Sequence, residues 1–457
     1  MAQTCGLSLL LTLLLPALGA STPGVEFRLN SAALSYVSEV GKAPLQRSLQ
    51  VTVPHFLDRR EVLQVNRIQI VKVHVARLRL KFIAGFGVRL LTAANFTFEV
   101  VRAKKPLELK MPVALMADMQ VFQSAIGTPV VSISSCLSFF DNAVLSDSWD
   151  RPLPALMVLL QRHLKAVLRN KLCLSVSNLV QNLNVHLGTL IGLNPVGPES
   201  QIRYSVIDIP TVTDDYIAWN ISAILFLLGK PIILSSNATL FMWPHPMGDE
   251  GVMATVVLSQ GLFDASFLLL QKAGSLNLDI TSQLKSDDNP LNTSSLGQLI
   301  PEVARQFPEP MPVVLKVRLG ATPVATLSTN SATLRLQPFV EVLVPTSNSA
   351  FQSLFSLDVV VNLSLQLSVS KVKLQGSTSV LGAIQLTVAS SNVGFINTDQ
   401  VHELMGTVFE RPLLDHLNAL LSMGIPLPTV ANLYYVNPQV FIHEGYVVIS
   451  SELSYQC

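Results

Sequence analysis

The sequence has few charged residues and, after its first twenty residues, no long apolar run. Asp, Glu, Lys and Arg make up only 13% of its 457 residues, yet no later stretch approaches the ~18 apolar residues of a membrane-spanning helix. The opening run "LSLLLTLLLPALGA" (7–20) is too short to span a bilayer and ends in small residues. It predicts a signal peptide over residues 1–20, the alternative being a buried helix. We therefore expect a secreted, extracellular protein.

Motifs for catalysis and for metal or nucleotide binding are also missing. The sequence has no G-x-S-x-G elbow, H-E-x-x-H helix or phosphate-binding G-x-x-x-x-G-K-[ST] loop. Its eight histidines are scattered, and none is three or four residues from another. His402 and His443 each precede a glutamate, but a metal site would need a third ligand. We predict no enzyme activity, no metal and no cofactor.

Cysteine is scarce as well, with four residues in the chain. Cys5 leaves with the signal peptide, so Cys136 and Cys173 remain as the candidate pair and Cys457 as the odd residue. In an oxidising compartment the pair is expected to form a disulfide, with two free thiols as the alternative. Cys457 is then either a free thiol or an intermolecular link. Five N-x-S/T sequons predict N-glycosylation at some of Asn95, Asn220, Asn237, Asn292 and Asn362.

The hydrophobic residues, 49% of the chain, follow helical and strand periods in turn. Helical spacing predicts helices over 30–40, 153–184, 260–272 and 398–422. Alternation predicts strands over 51–53, 67–83, 86–101, 107–116, 129–135, 312–320, 333–343, 355–375 and 382–390. Strands this long indicate twisted, barrel-like sheets. The helical stripes are expected to pack on these sheets or, alternatively, to face a lipid in part, since so apolar a composition favours apolar cavities.

Domain organisation follows from a break in the middle of the chain. Residues 229–250, "GKPIILSSNATLFMWPHPMGDE", contain three prolines and a sequon. Such a stretch is typical of a linker. It separates residues 21–228 from residues 251–457, which we expect to be two domains.

Positive charge is concentrated near the start of the mature chain. Residues 21–120 carry fifteen basic and seven acidic residues, whereas the remainder is net acidic. Within "VKVHVARLRLKFIAGFGVRL" (71–90) the alternation slips by one residue near Ala76, which predicts a bulge and places Arg77, Arg79 and Lys81 on one exposed face. That face is either an ordinary solvated strand surface or a site for an anionic lipid, lipopolysaccharide or membrane surface. Nucleic acid is not expected, because no aromatic residues interleave with the cations.

An ordered series of segments resembles a known family. The series is "GVEFRLNSAALSYVSEVGKAPLQ", "SISSC…RNKLC", "LIPEVARQFPEPMPVVLKV", "SNVGFINTDQVHELMGTVFERPLLDHLNALLSMGIPLP" and "VNPQVFIHEGYVVISSEL". It resembles the bactericidal/permeability-increasing protein (BPI) and lipopolysaccharide-binding protein family, and within it the BPI fold-containing family B. The resemblance implies an α+β fold: a boomerang of two similar barrel-plus-helix domains joined by a central antiparallel β-sheet.

The same resemblance implies a disulfide between Cys136 and Cys173 and an apolar lipid pocket in each domain. With such pockets, the apolar stripes of the predicted helices become candidate pocket walls: Leu34, Val37, Leu160, Leu164, Leu168, Leu404, Val408 and Leu414. Family members that bind lipopolysaccharide carry cations at the tip of the N-terminal domain. The candidate anion-binding residues are accordingly Arg59, Arg60, Lys104 and Lys105, together with Arg77, Arg79 and Lys81.

These observations favour a secreted, non-enzymatic protein that holds phospholipid-like acyl chains in apolar pockets, with a role in innate immunity at epithelial surfaces. The alternative is recognition of lipopolysaccharide or a bacterial surface through the basic N-terminal face. A secreted hydrolase would need a nucleophile–base pair, for which the sequence offers no motif.

Overall fold

The computed structural model describes residues 24–54, 65–102, 105–145, 154–234, 251–281, 291–346, 350–430 and 432–456. These residues form two curled half-barrel sheets joined by a central antiparallel sheet, with helices packed against each. The expected α+β boomerang is therefore confirmed. Among the described residues, no helix is both long and apolar enough to cross a bilayer.

The N-terminal half-barrel is built from long antiparallel strands in the order β2-β3-β4-β5, with β6 beside β4. The strands are β2 (Val65–Ile83), β3 (Gly87–Arg102), β4 (Lys105–Gln123), β5 (Pro129–Phe140) and β6 (Val144–Leu145). The register of β2 against β3 shifts between Val75 and Arg77, so the predicted bulge near Ala76 is confirmed. Strand β3 begins at Gly87. A Cβ at this position would lie 2.1 Å from the Met119 carbonyl oxygen. Close backbone approach therefore explains this glycine.

Three helices accompany this half-barrel: α1 (Ser31–Val40), α2 (Lys42–Ser48) and α3 (Pro154–Gly188). The helix predicted over 153–184 is therefore present. Its leucines at every fourth position are fully buried in the half-barrel core: Leu156, Leu160, Leu164, Leu168 and Leu172. Each stabilises the fold by about 1.5–3 kcal/mol relative to an exposed leucine. The Cys136–Cys173 disulfide ties this helix to β5, with its Cα atoms 5.9 Å apart.

The central sheet contains strands from both halves of the chain, in the order β22-β23-β12-β1-β10-β8-β7, with β9 and β11 beside β10. The strands are β1 (Val25–Asn30), β7 (Leu193–Gly197), β8 (Ser200–Val206), β9 (Thr211–Val212), β10 (Tyr216–Leu227), β11 (Lys230–Pro231), β12 (Ala254–Ser259), β22 (Leu433–His443) and β23 (Tyr446–Tyr455). Strand β1 pairs with β10 on one side and with β12 on the other, so it joins the two halves. The predicted linker contributes β11, and its residues 235–250 lie outside the described residues.

The C-terminal half-barrel has the strand order β13-β14-β17-β18-β16-β15, with β19 and β20 beside β18 and β21 beside β19. Its strands are β13 (Leu278–Thr281), β14 (Val314–Leu319), β15 (Val324–Ser328), β16 (Ser331–Leu336), β17 (Pro338–Pro345), β18 (Phe351–Ser370), β19 (Lys373–Val380), β20 (Gln385–Ser391) and β21 (Ile425–Pro426). Its helices are α4 (Gln260–Lys272), α5 (Thr293–Leu299), α6 (Pro301–Gln306), α7 (Thr398–Val408) and α8 (Glu410–Met423).

Several predicted elements are wrong in their extent. The strand predicted over 355–375 turns at Lys371, whose φ is 56°, so β18 and β19 form a hairpin. The helix predicted over 398–422 breaks at Phe409, because Pro412 lacks the N–H that a continuous helix would direct to the Val408 carbonyl. The segment predicted as one strand over 333–343 is two strands, β16 ending at Leu336 and β17 beginning at Pro338, because proline has no N–H to donate to a sheet ladder. Residues 51–53, predicted as a strand, are irregular.

Candidate functional site

An apolar pocket lies in the C-terminal half between helix α4, the end of helix α8 and the hairpin of β18 and β19. Its lining is Val196, Phe263, Ser266, Phe267, Leu269, Leu270, Leu365, Leu367, Leu374, Gln375, Gly376, Leu420, Leu421, Met423, Gly424 and Ile425. Val196 belongs to β7 in the N-terminal part of the central sheet. The pocket therefore draws on both halves of the sequence.

Helix α4 forms one wall and is held at its first residue. Gln260 donates from Nε2 to the Ala325 carbonyl at 2.9 Å, and its Oε1 accepts from the Leu327 amide at 3.2 Å. Gln260 also donates to the Asp264 carboxylate at 2.9 Å. Burial raises the pKa of Asp264, and this hydrogen bond partly offsets the rise. These hydrogen bonds fix the start of α4 to β15. The apolar face of α4 lines the pocket.

Helix α8 forms the opposite wall and is tied to β19 through Asn418. The Asn418 side-chain oxygen accepts from the Thr378 amide at 2.7 Å and from the Thr378 hydroxyl at 2.8 Å. Near the C-terminal end of the helix, Gln375 donates to the Ser422 carbonyl at 2.6 Å. A Cβ at Gly376 of β19 would lie 3.2 Å from a Leu365 methyl of β18 and 3.5 Å from the Leu421 Cβ of α8, so glycine leaves room between the strand hairpin and the helix. This wall is fixed by polar contacts of Asn418, outside the lining, and of Gln375, within it.

Residues 425–428 follow α8, and we call them the strap; the first of them, Ile425, lines the pocket. Gly424 precedes it with φ 69°, and a Cβ there would lie 2.9 Å from the Leu374 carbonyl oxygen. The Tyr204 hydroxyl of the central sheet donates to the Pro426 carbonyl at 2.5 Å, and the Tyr435 hydroxyl donates to the Pro428 carbonyl at 2.6 Å. Burial raises the pKa of both tyrosines, so both remain protonated donors well above neutral pH.

The pocket's chemistry is that of an apolar cavity without reactive groups. Ser266 and Gln375 are the polar side chains in its lining, and both donate to backbone carbonyls; the Ser266 bond to Leu262 is 2.7 Å long. The cavity volume is about 70 Å³, well below the 300–1,000 Å³ of typical small-molecule pockets. Its walls must therefore separate to admit a long ligand. Within the described ranges, no group of three His, Cys, Asp or Glu residues could hold a metal ion.

Comparison with known proteins places this arrangement in a family. Two family models match the chain: the N-terminal domain of the LBP / BPI / CETP family over residues 33–183, and its C-terminal domain over residues 197–455. The chain belongs to the LBP/BPI/CETP family. It therefore has that family's lipid-binding fold.

Relatives and a solved structure agree with the LBP/BPI/CETP assignment. The chain is 73% identical to human BPI fold-containing family B member 2 and 60% identical to the mouse protein of that name, each over the full length of both chains. It is 25% identical to a bactericidal permeability-increasing protein of Sebastes schlegelii, over 98% of each chain. A crystal structure of lipopolysaccharide binding protein superposes with a TM-score of 0.61 at 21% identity, covering 95% of this chain and 99% of that one. That likeness shows the shared fold.

The predicted pocket walls do not line this pocket. Leu160, Leu164 and Leu168 fill the core of the N-terminal half-barrel, because the whole inner face of α3 is enclosed by the sheet. Val408 and Leu414 pack on the C-terminal core, and the Leu404 side chain lies outside the described residues. Leu34 is partly buried against the central core, whereas Val37 is 42% exposed.

Sequence reasoning missed the wall that α4 provides. The helix itself was predicted over 260–272, and its Phe263, Phe267 and Leu270 form an apolar stripe at helical spacing. That stripe was a usable signal. The strap gave no such signal. One of its hydrogen bonds comes from Tyr204, 222 residues before Pro426, and the other from Tyr435 on the following strand, β22.

The candidate anion-binding residues are only partly within the described structure. Arg77, Arg79 and Lys81 are exposed on β2, as predicted. Arg59, Arg60 and Lys104 lie outside the described residues, as does the side chain of Lys105.

The sequons differ in their surroundings. Asn95 is exposed on β3, whereas Asn220 and Asn362 are half-buried in strands. The Asn292 side chain accepts from the Ser295 amide at 2.7 Å and caps α5. Asn237 and Cys457 lie outside the described residues. Of the four sequon asparagines that the structure describes, Asn95 presents its side chain most openly.

Proposed function

We propose that this protein is secreted, has no enzyme activity, and holds the acyl chains of a phospholipid-like lipid in the pocket between α4 and α8. The observation that carries the proposal is the lining itself. Its side chains are aliphatic or aromatic except for Ser266 and Gln375, whose donors already bind backbone carbonyls. Such a surface offers an acyl chain burial and offers a polar ligand few hydrogen-bond partners.

The energy available to an acyl chain is sufficient without directional contacts. Each buried methylene contributes ~0.8 kcal/mol, so ten of them contribute roughly 8 kcal/mol before the costs of association. Part of this energy is used to separate the walls, because the cavity holds only about 70 Å³. Met423 lies at the pocket with 41% of its surface exposed and can repack around an entering chain, as unbranched side chains do.

A pocket-filling variant tests the proposal. Ser266 faces the pocket from α4, and Ser266→Met would occupy the space that an acyl chain needs. We expect delipidated Ser266→Met protein to take up a fluorescent long-chain phospholipid at least ~10-fold more weakly than the unaltered protein, which corresponds to about 1.4 kcal/mol.

The matched control is Ser35→Met. Ser35 lies on α1, is exposed, and makes the same bond to the carbonyl four residues earlier as Ser266 does. Its replacement should leave uptake unchanged. Equal uptake by Ser266→Met and Ser35→Met would contradict the assignment of this pocket.

The remaining parts of the proposal concern processing and setting. We propose cleavage of residues 1–20, an N-terminal lipid-binding domain over 21–228, a linker over 229–250 and a C-terminal domain over 251–457. N-terminal sequencing of protein secreted by transfected cells tests the cleavage site. Because one relative is named a bactericidal permeability-increasing protein, we also propose a part in innate immunity at epithelial surfaces.

A second candidate function is recognition of lipopolysaccharide through the basic N-terminal face. It is favoured by the exposure of Arg77, Arg79 and Lys81 on one strand and by the fold shared with lipopolysaccharide binding protein. We expect lipopolysaccharide binding that weakens with salt and is lost when the three residues are neutralised. Binding that responds to neither change would contradict it.

A further inference from the structure

The outer face of the N-terminal half-barrel has an ordered arrangement of side chains. Strand pairing places residues of β2, β3, β4 and β5 side by side in rows across the sheet. One row is Arg77, Ala93, Ala114 and Phe139, and the next is Arg79, Leu91, Met116 and Leu137. Each row therefore begins with an arginine and continues with apolar residues only.

We call the apolar part of these rows the apolar patch; in it Ala93, Ala114, Leu137 and Phe139 are exposed, and Leu91 and Met116 are half-buried. Leu137 is 49% exposed and Phe139 is 56% exposed. Both lie on β5, whose sheet partners are all on the β4 side. Contiguous exposed apolar residues of this kind are uncommon on monomeric proteins and mark interaction surfaces. Something apolar is expected to cover this patch.

The charge beside the patch is of one sign. Arg77, Arg79 and Lys81 are all exposed and stand one strand away from the patch, about 5 Å in the hydrogen-bonding direction. The row below contains Lys81, Arg89 and Asp118. Arg89 binds Asp118 through two hydrogen bonds of 2.6 and 3.0 Å, so the one acid in these three rows is already paired. The three remaining cations face solvent.

We infer that this outer face docks on an anionic lipid bilayer. The arginines and the lysine would contact headgroup phosphates, while Leu137 and Phe139 would enter the boundary between headgroups and acyl chains. A bilayer offers negative charge and apolar depth side by side over a wide area, which matches a cation column parallel to an apolar patch. In the row that begins with Arg77, small residues, Ala93 and Ala114, separate the arginine from Phe139, so both can reach one surface together.

The docking face is separate from the pocket between α4 and α8, which lies in the other half of the chain. It shares its basic residues with the lipopolysaccharide candidate but requires no lipopolysaccharide. The bilayer-docking inference and the lipopolysaccharide candidate can therefore be refuted separately. A protein that binds vesicles but not lipopolysaccharide would contradict only the lipopolysaccharide candidate.

Vesicle co-sedimentation of the full secreted chain tests the inference. Every protein in the test carries Asn95→Gln, because Asn95 is exposed on the same face and a glycan there would differ between preparations. We expect binding to phosphatidylcholine vesicles that contain phosphatidylglycerol, weaker binding at high salt, and little binding to phosphatidylcholine alone. The triple variant R77Q/R79Q/K81Q should bind at least ~10-fold more weakly, since each cation near an anionic surface contributes about a fivefold factor.

Two matched controls make the test specific. R305Q/R335Q/R411Q removes the same charge from exposed positions of the C-terminal half, and it should bind as the reference protein does. The double variant L137S/F139S should bind vesicles more weakly than the reference protein. It should also retain less vesicle binding at high salt. L381S/F395S, which alters apolar residues elsewhere that are at least as exposed, should not.

Three results would overturn the inference. The first is equal binding to vesicles with and without phosphatidylglycerol. The second is a loss in the charge control as large as in R77Q/R79Q/K81Q. The third is no vesicle binding together with a dimer that L137S/F139S dissociates in sedimentation velocity, which would show that a second copy covers the apolar patch.

Discussion

The strap after α8 gives the sharpest test of how the segment beside the pocket is held. Tyr204→Phe removes a hydroxyl that donates to the Pro426 carbonyl at 2.5 Å in a fully buried setting. The carbonyl then stays buried without its partner, which costs about 1–3 kcal/mol. Tyr435→Phe removes the equivalent bond to Pro428 and should cost a similar amount.

The two bonds hold one short segment, so their effects should not add. Once the first bond is lost, the strap can shift and expose the second carbonyl, and the second substitution then costs less. We expect the double variant to be more stable than the sum predicts by about 0.5–1 kcal/mol. Thermal unfolding followed by circular dichroism measures this, at roughly 2–4 °C per kcal/mol for domains of this size.

Tyr434→Phe is the control, because Tyr434 is the neighbouring residue on β22 and is 38% exposed. It should change the melting temperature by less than about 1 °C. If Tyr204→Phe and Tyr435→Phe behave like Tyr434→Phe, the strap is not held by these hydroxyls and the reasoning is refuted.

The same tyrosines predict a dependence on alkaline pH. Burial raises the pKa of both above the ordinary value of about 10, so above pH 10 the unfolded chain releases protons that the folded chain retains. Stability is therefore complete below about pH 10 and falls as the pH rises further. Urea unfolding at rising pH should show this loss, and the loss should be smaller in the double Phe variant. A flat profile would contradict the buried, protonated state.

Three further predictions concern single structural features. Replacing Cys136 and Cys173 with Ser should lower the free energy of unfolding by about 3–4 kcal/mol, because the bond closes a loop with a sequence separation of 37; a variant as stable as the reduced wild-type chain is expected, and one as stable as the oxidised chain would contradict it. Gly424→Ala should destabilise by about 1–3 kcal/mol, since its φ of 69° and the nearby Leu374 carbonyl oppose a Cβ, whereas Gly406→Ala, in open space within α7, should stabilise by up to about 1 kcal/mol. Asn418→Ala should speed lipid release measured by fluorescence, because it frees α8 from β19. An unchanged release rate would show that the Asn418 contact does not control pocket opening.

The long strands of the half-barrels could be predicted from the sequence where one face of the strand is buried and the other is exposed. Strand β2 alternates between buried and exposed side chains, and even its bulge near Ala76 appeared as a slip in the pattern. The central sheet could not be predicted in this way. In β10, Ile217, Ala218 and Trp219 are all buried, so both faces are covered and the alternation disappears.

The candidate site shows the same division. The fourth-residue spacing of Leu160, Leu164 and Leu168 correctly predicted a buried helical stripe, but the stripe does not say whether a sheet or a lipid covers it. The strap depends on Tyr204 and Tyr435, whose partners are set by tertiary pairing. Contacts of that kind leave no periodic trace in the sequence.

The central claim is that the protein holds an acyl lipid, and native mass spectrometry of the secreted chain tests it most directly. Protein purified without organic solvent or detergent should carry a noncovalent mass equal to a phospholipid, and that mass should disappear after solvent extraction. Ser266→Met protein should carry less of it than Ser35→Met protein. A chain that shows only its own mass, and that takes up no phospholipid from vesicles, would contradict the account.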